Sequence, residues 1–254
     1  MRHAPRLFVA LALLSACSSE DASSSTSGGN SADAGTTPGS PCEVTGVIAD
    51  PLPLKVTVGG STPQGTPRAV SGAVVELRSF ADDAILASGN TGIEGTVELS
   101  VASRGAPVLA YVRVTRSGFV TARYGYQTGF AGGLTGAITV FLPLESDLVR
   151  QATAAGKTFD PKSGSAVGIT AYECASKLRL VGGTFQVAPG GGVVYRNRVG
   201  DLDPSLTSST DVGSGTDFGV PAGRAKVRIA RDGRSSELDV SVGAGELFGL
   251  IMSL

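Results

Sequence analysis

The sequence predicts an all-β protein: two tandem β-sandwiches joined by a short helix, after a disordered N-terminal tether. Three observations predict it. Many short β-branched runs are separated by glycine, and few runs have helical spacing. Gly 36 and Pro 13 in 254 residues supply the turns that such strands need. The same strand pattern also occurs twice.

Four segments recur in one order. "VRVTRSG" at Val112–Gly118 returns as "VRIARDG" at Val227–Gly233. "VSGAVVEL" at Val70–Leu77 corresponds to "VGGTFQV" at Val181–Val187, and "GIEGTVEL" at Gly92–Leu99 to "VGSGTDFGV" at Val212–Val220. "GAITVFLP" at Gly136–Pro143 corresponds to "GELFGLIM" at Gly245–Met252. The offset is about 110–120 residues, a common domain size.

Period two assigns the faces of each strand. Ala73, Val75 and Leu77 point inward, with Val74, Glu76 and Arg78 outward. Val97, Leu99 and Val101 point inward, as do Ala110, Val112 and Val114, the last three opposite Tyr111, Arg113 and Thr115. In the second copy Val227, Ile229, Leu238, Val240 and Val242 are inward. A sheet with one dry face must pack on another sheet. Between the copies, Ser146 is placed to cap one or two turns of helix with Leu144, Leu148 and Ala152 on one face, ended by Gly156. The expected division is 1–16 signal peptide, 17–41 tether, 42–143 first sandwich, 144–163 linker with helix and 164–254 second sandwich.

"GAVVELRS", "TGIEGTVEL" and "VLAYVRVTRSGF" together resemble the carboxypeptidase regulatory-like family. Thr91, Gly95, Gly118 and Phe119 fall on its turn positions, and Pro221, Ala222 and Gly223 resemble its P-x-G turn. The resemblance covers Glu43–Pro143 and Gly164–Leu254. It implies a transthyretin-like fold and an accessory, structural or binding role without catalytic residues.

The N-terminus carries a targeting pattern. Arg2 and Arg6 precede the apolar run Leu7–Leu14, and small residues follow, which is the layout of a secretory signal. The apolar run is too short to span a bilayer, which needs ~20 residues. "LSAC" at Leu14–Cys17 resembles the bacterial lipobox, which implies cleavage before Cys17 and its lipidation. Ser18 after the cysteine implies the outer membrane rather than retention at the inner one. Ser18–Ser40 has no leucine, isoleucine, valine or aromatic residue, so it cannot offset its ordering entropy by burial.

Composition excludes several functions. Without Met1–Ala16, 19 Lys and Arg face 22 Asp and Glu, a formal −3, and no basic patch emerges, so nucleic acid is not expected as a partner. His3 is the single histidine, so the mature chain has none for a Ser-His-Asp or Cys-His site. "QATAAGKT" ends like a phosphate loop but has Gln151 where glycine is required. No lysine has a serine three residues before it. The last strand of each copy lacks asparagine, so no lysine–asparagine cross-link is expected.

Some residues remain as candidates. Cys42 and Cys174 face an oxidising compartment and could pair. Asp201, Asp203, Asp211 and Asp217 cluster in Asp201–Asp217 and could offer oxygen ligands to calcium, but without calcium-loop spacing. No metal site or cofactor is therefore assigned. Tyr124 and Tyr126 share a strand face and could form a stacking platform. They join Tyr195, Asp201 and Asp203, in the long divergent loop Gly190–Ser214, as candidate binding residues. The expected function is non-enzymatic: an outer-membrane, lipid-anchored envelope protein with a structural or binding role. Its partners would be the membrane, through the anchor, and a polysaccharide or envelope protein. A carbohydrate-binding or accessory module of an extracellular hydrolase system is the alternative, and an enzyme using only carboxylates is the third reading.

Overall fold

The computed structural model describes residues 42, 46–62, 67–131 and 138–254. The signal, the Cys17 lipidation site and the tether therefore lie outside the described residues. The first lobe contains β1 (Leu52–Gly60), β2 (Arg68–Ala69), β3 (Val74–Ser79), β4 (Ile85–Asn90), β5 (Thr96–Val101), β6 (Ala110–Thr115), β7 (Ala122–Tyr126) and β8 (Ile138–Leu142). Helix α1 (Glu145–Ala154) follows. The second lobe contains β9 (Gly164–Tyr172), β10 (Thr184–Ala188), β11 (Val194–Arg196), β12 (Leu202–Asp203), β13 (Ser214–Pro221), β14 (Gly223–Arg231), β15 (Arg234–Val242) and β16 (Leu247–Ser253). The described residues form an all-β protein with one helix.

The four repeated segments occupy equivalent strands. In the first lobe β1 pairs antiparallel with β5 and parallel with β8. In the second, β9 pairs antiparallel with β13 and parallel with β16. The facing sheets match too: β6 lies between β3 and β7, and β14 between β10 and β15, all antiparallel. Each lobe is thus a sandwich. Leu52, Leu54, Val56, Val75, Leu77, Val112 and Val114 fill the first core, and Val227, Ile229, Val240 and Val242 enter the second. These are inward positions of the period-two pattern.

The lobes are not two beads on a linker. Strand β16 pairs parallel with β9 on one edge and with β7 of the first lobe on the other. One nine-stranded sheet results, in the order β12-β11-β13-β9-β16-β7-β6-β3-β4. Its two faces serve different cores. Tyr124 and Ile251 point into the first core, whereas Phe248 and Leu250 point into the second. Tyr111, expected to face solvent, is buried in the second core. Its ring lies 5.4 Å from that of Phe80 and 5.6 Å from that of Phe248. The outer face of one lobe becomes the inner face of the next because the sheet continues. Gly125, opposite Tyr111, leaves room for this: a Cβ there would sit 2.6 Å from Phe80 Cζ.

Polar groups complete the seam. The buried Glu246 carboxylate lies 2.7 Å from Arg123 Nε and accepts the Gly243 N–H at 2.9 Å. Arg123 also donates to the Ser241 carbonyl and the Tyr111 hydroxyl, both at 3.1 Å. Buried Gln127 donates to Ser236 Oγ and accepts the Ser253 N–H, so the turn after β7 is held by both β15 and β16.

Helix α1 spans ten residues rather than one or two turns. Ser146 is exposed and does not cap it. Instead Asp147 reaches back to accept the Leu144 N–H, and Leu144 stands at the N-cap. The reason is local: a carboxylate at the third helical position reaches the orphan N–H and also pairs with Arg150 at 2.6 Å. At the other end Gly156 has φ +68°, and the Lys157 N–H bonds the Ala152 carbonyl, closing the helix in a Schellman motif. Leu148 and Ala152 pack with Phe159, Ala166 and Phe218, so the helix covers the β9–β13 region.

Candidate functional site

The expected tyrosine platform is turned inward. Tyr124 and Tyr126 do share a face of β7, with ring centroids 5.8 Å apart and edge-on. Tyr124 is only 8% exposed and belongs to the first core, over the bare backbone of Gly249. Tyr126 is half-buried, and its ring meets Phe130 edge-on at 5.4 Å. Burial pushes the Tyr126 hydroxyl up to about 12 and raises Tyr124 further. Tyr124 stands opposite inward-facing Val112 in the β6–β7 register, so this face of β7 lies against the first core rather than open to a ligand. The structure adds two residues that sequence spacing did not suggest. Tyr172, from β9, lies close enough to perturb both hydroxyls, and the Arg179 guanidinium stacks 4.4 Å from its ring centre. They arrive through strand pairing, which leaves no local sequence signal.

Tyr195 is also spent on structure. It is 5% exposed, packs against Phe185 at 5.3 Å, and its hydroxyl accepts the Phe185 N–H at 2.8 Å. The Gly190–Ser214 segment is not one open loop. It holds the β11–β12 hairpin, which extends the nine-stranded sheet.

The four aspartates of this run do not converge. Asp201 is exposed, and its N–H is tied to Asn197 Oδ1. Asp203 accepts both the hydroxyl and the N–H of Ser205, at 2.6 and 2.9 Å, which holds its carboxyl below the usual range. Asp211 lies 3.9 Å from Arg198 on the surface. Asp217 is fully buried in β13. Among the described residues no group of three His, Cys, Asp or Glu is placed to hold a metal ion.

Asp217 is the polar centre that the sequence hid among turn residues. Its two carboxylate oxygens accept the Gly191 and Gly192 N–H groups, at 3.1 and 3.0 Å. Lys157 donates to the Gly191 carbonyl at 2.8 Å, so the lysine of "GKT" braces this loop. A Cβ on Gly190 would fall 2.5 Å from Asp217 Oδ2, so the carboxylate needs the glycine run. Burial raises the Asp217 carboxyl above its ordinary value, against the opposing pull of the two N–H groups and Lys157. A raised carboxyl binds its proton more readily folded than unfolded. It therefore lowers stability as pH climbs from about 4 through its folded pKa. Denaturation of wild type and Asp217→Asn between pH 4 and neutrality should show that slope in wild type only. Parallel curves would refute this.

Cys42 and Cys174 are joined by a disulfide, with Cα atoms 5.2 Å apart. It links the segment before the first sandwich to the end of β9. Two surface depressions are open and shallow. One of about 310 Å³ is lined by Thr184, Arg228, Arg231, Arg234 and glycines, and Arg231 is already paired with Glu173. Ligand pockets are mostly apolar and concave, which this depression is not. No helix among the described residues is long and apolar enough to cross a membrane.

No family model and no curated protein matches the chain. Solved structures of pilins do. The shaft pilin SpaA of Lactobacillus rhamnosus GG is 11% identical, covering 80% of this chain and 97% of that one, with a TM-score of 0.25. A minor pilin of Streptococcus agalactiae is 9% identical over 80% and 94%, with a TM-score of 0.24. The full-length major pilin RrgB of Streptococcus pneumoniae is 11% identical over 82% and 49%, with a TM-score of 0.27.

Proposed function

We propose that this protein is a non-enzymatic, lipid-anchored structural element of the cell envelope, built from two copies of one transthyretin-like sandwich. One observation carries the reading. The side chains that could do chemistry are spent on folding: Tyr124 and Tyr195 on cores, Asp203 on a turn, Asp217 on a loop, and Glu246 on the seam between lobes. A group already satisfied and buried is not available to substrate. The "LSAC" sequence supports an anchor at Cys17, and Ser18 after it supports an outer-membrane location.

The test has two arms. Cys17→Ser should abolish lipid labelling and leave full-length precursor, whereas unchanged labelling would refute the anchor. A glycoside, ester and peptide substrate panel, with and without calcium, should show no turnover. Turnover abolished by Asp201→Ala or Asp203→Ala would refute the non-enzyme reading.

A further inference from the structure

The strands fix two ends of the molecule. Strands β7, β9 and β16 all run parallel, toward the same end. The Cys42–Cys174 disulfide lies at that end, where the Cys174 N–H donates to the Leu254 carbonyl. Residues preceding Cys42 therefore join the body there.

The same end carries an unusual share of exposed aliphatic side chains. Leu178 is 68% exposed in the turn after β9, and Leu109 is 60% exposed beside the turn after β7. Ile85 opens β4, Val47 precedes β1, Val181 precedes β10, and Val199 tips the β11–β12 hairpin; all are exposed. The registers of the nine-stranded sheet put Ile85, Leu109 and Val199 at this end, and the Leu180 N–H bond to the Ala171 carbonyl brings Val181 beside the end of β9. Some charges between them are met within the chain, Arg231 by Glu173 and Asp232, Arg198 by Asp211 and Arg78 by Asp83, while Lys177 beside Leu178 is exposed. The opposite end exposes Ile93, in the turn after β4, and Val74, which opens β3.

We propose that this end faces the membrane, and that its exposed aliphatic side chains seat on the lipid surface. The inference rests on the anchored reading above. Cys17 and Cys42 are 25 residues apart in sequence, so an acylated Cys17 tethers this end to the bilayer through a short length of chain. Exposed apolar groups brought to an interface gain by burying into the boundary between headgroups and acyl chains. Because the seating side chains are aliphatic, the contact is apolar and survives high salt.

The chain has no tryptophan, so single reporters are clean. Full-length protein with its anchor is reconstituted on phosphatidylethanolamine–phosphatidylglycerol vesicles, with or without brominated acyl chains. Leu178→Trp and Leu109→Trp should shift to the blue and lose at least half their emission to brominated lipid, at low and high salt alike. Ile93→Trp should stay unquenched. Protein that floats with the vesicles while all three reporters stay unquenched would overturn the membrane-facing end and leave the anchor standing. Protein that does not float would overturn the anchor and this inference with it. A blue shift that appears without vesicles and grows with concentration would assign the surface to a second copy instead. Quenching lost at high salt would overturn the apolar contact.

Discussion

Phe248→Ala is expected to cost about 3–5 kcal/mol, the range for emptying a large aromatic from a core. The side chain is 1% exposed. It stacks in the cluster with Phe80 and Tyr111, both from the first lobe, although Phe248 belongs to the second. The loss should therefore be felt on both sides of the seam. In a protein of this size the melting temperature should fall by roughly 10 °C. Urea denaturation gives the free energy, and near-ultraviolet circular dichroism reports the tyrosines of both lobes. A change below 1 kcal/mol would mean that the cluster is not packed as described.

Removing the disulfide is the second large effect. Cys42 and Cys174 are 132 residues apart in sequence, so the bridge closes most of the folded chain into one loop. In the chain-entropy model a loop of that length stabilises by about 5 kcal/mol, chiefly by restricting the unfolded state. The paired variant Cys42→Ser, Cys174→Ser should lose stability of that order, with a matching fall in the urea midpoint. Mass measurement after alkylation without reductant should find no free thiol in wild type. Two free thiols, or an unchanged midpoint, would contradict this.

Much of the fold is legible in the sequence because period-two alternation follows directly from strand geometry. Val75, Leu77, Val112 and Val114 point inward as their spacing requires, and the four repeated segments form equivalent strands. What alternation cannot show is which outward face is later covered. Tyr111 reads as solvent-facing because nothing near it in sequence signals β16, which arrives more than a hundred residues later. Tyr124 and Tyr126 sit on one face as expected, but spacing within β7 alone does not show that this is the face opposite inward Val112. Asp217 was obscured for a different reason. Asp, Ser and Gly favour turns, so a buried carboxylate beside a glycine-rich segment looks like another turn residue until its N–H partners are known. Helix α1 lies between the lobes but is longer than the one or two turns expected, and Leu144 rather than Ser146 stands at its N-cap, because Asp147 at the third helical position reaches back to the Leu144 N–H.

Calorimetry on the chain from Pro41 onward tests most directly whether β16 makes the two lobes a single body. A shared strand, a shared aromatic cluster and a common ion pair leave neither lobe a complete edge of its own. The expected result is one endotherm whose van't Hoff and calorimetric enthalpies agree. Phe248→Ala should shift the whole transition without splitting it. Two resolved transitions in wild type, with only the second moved by Phe248→Ala, would contradict the shared sheet.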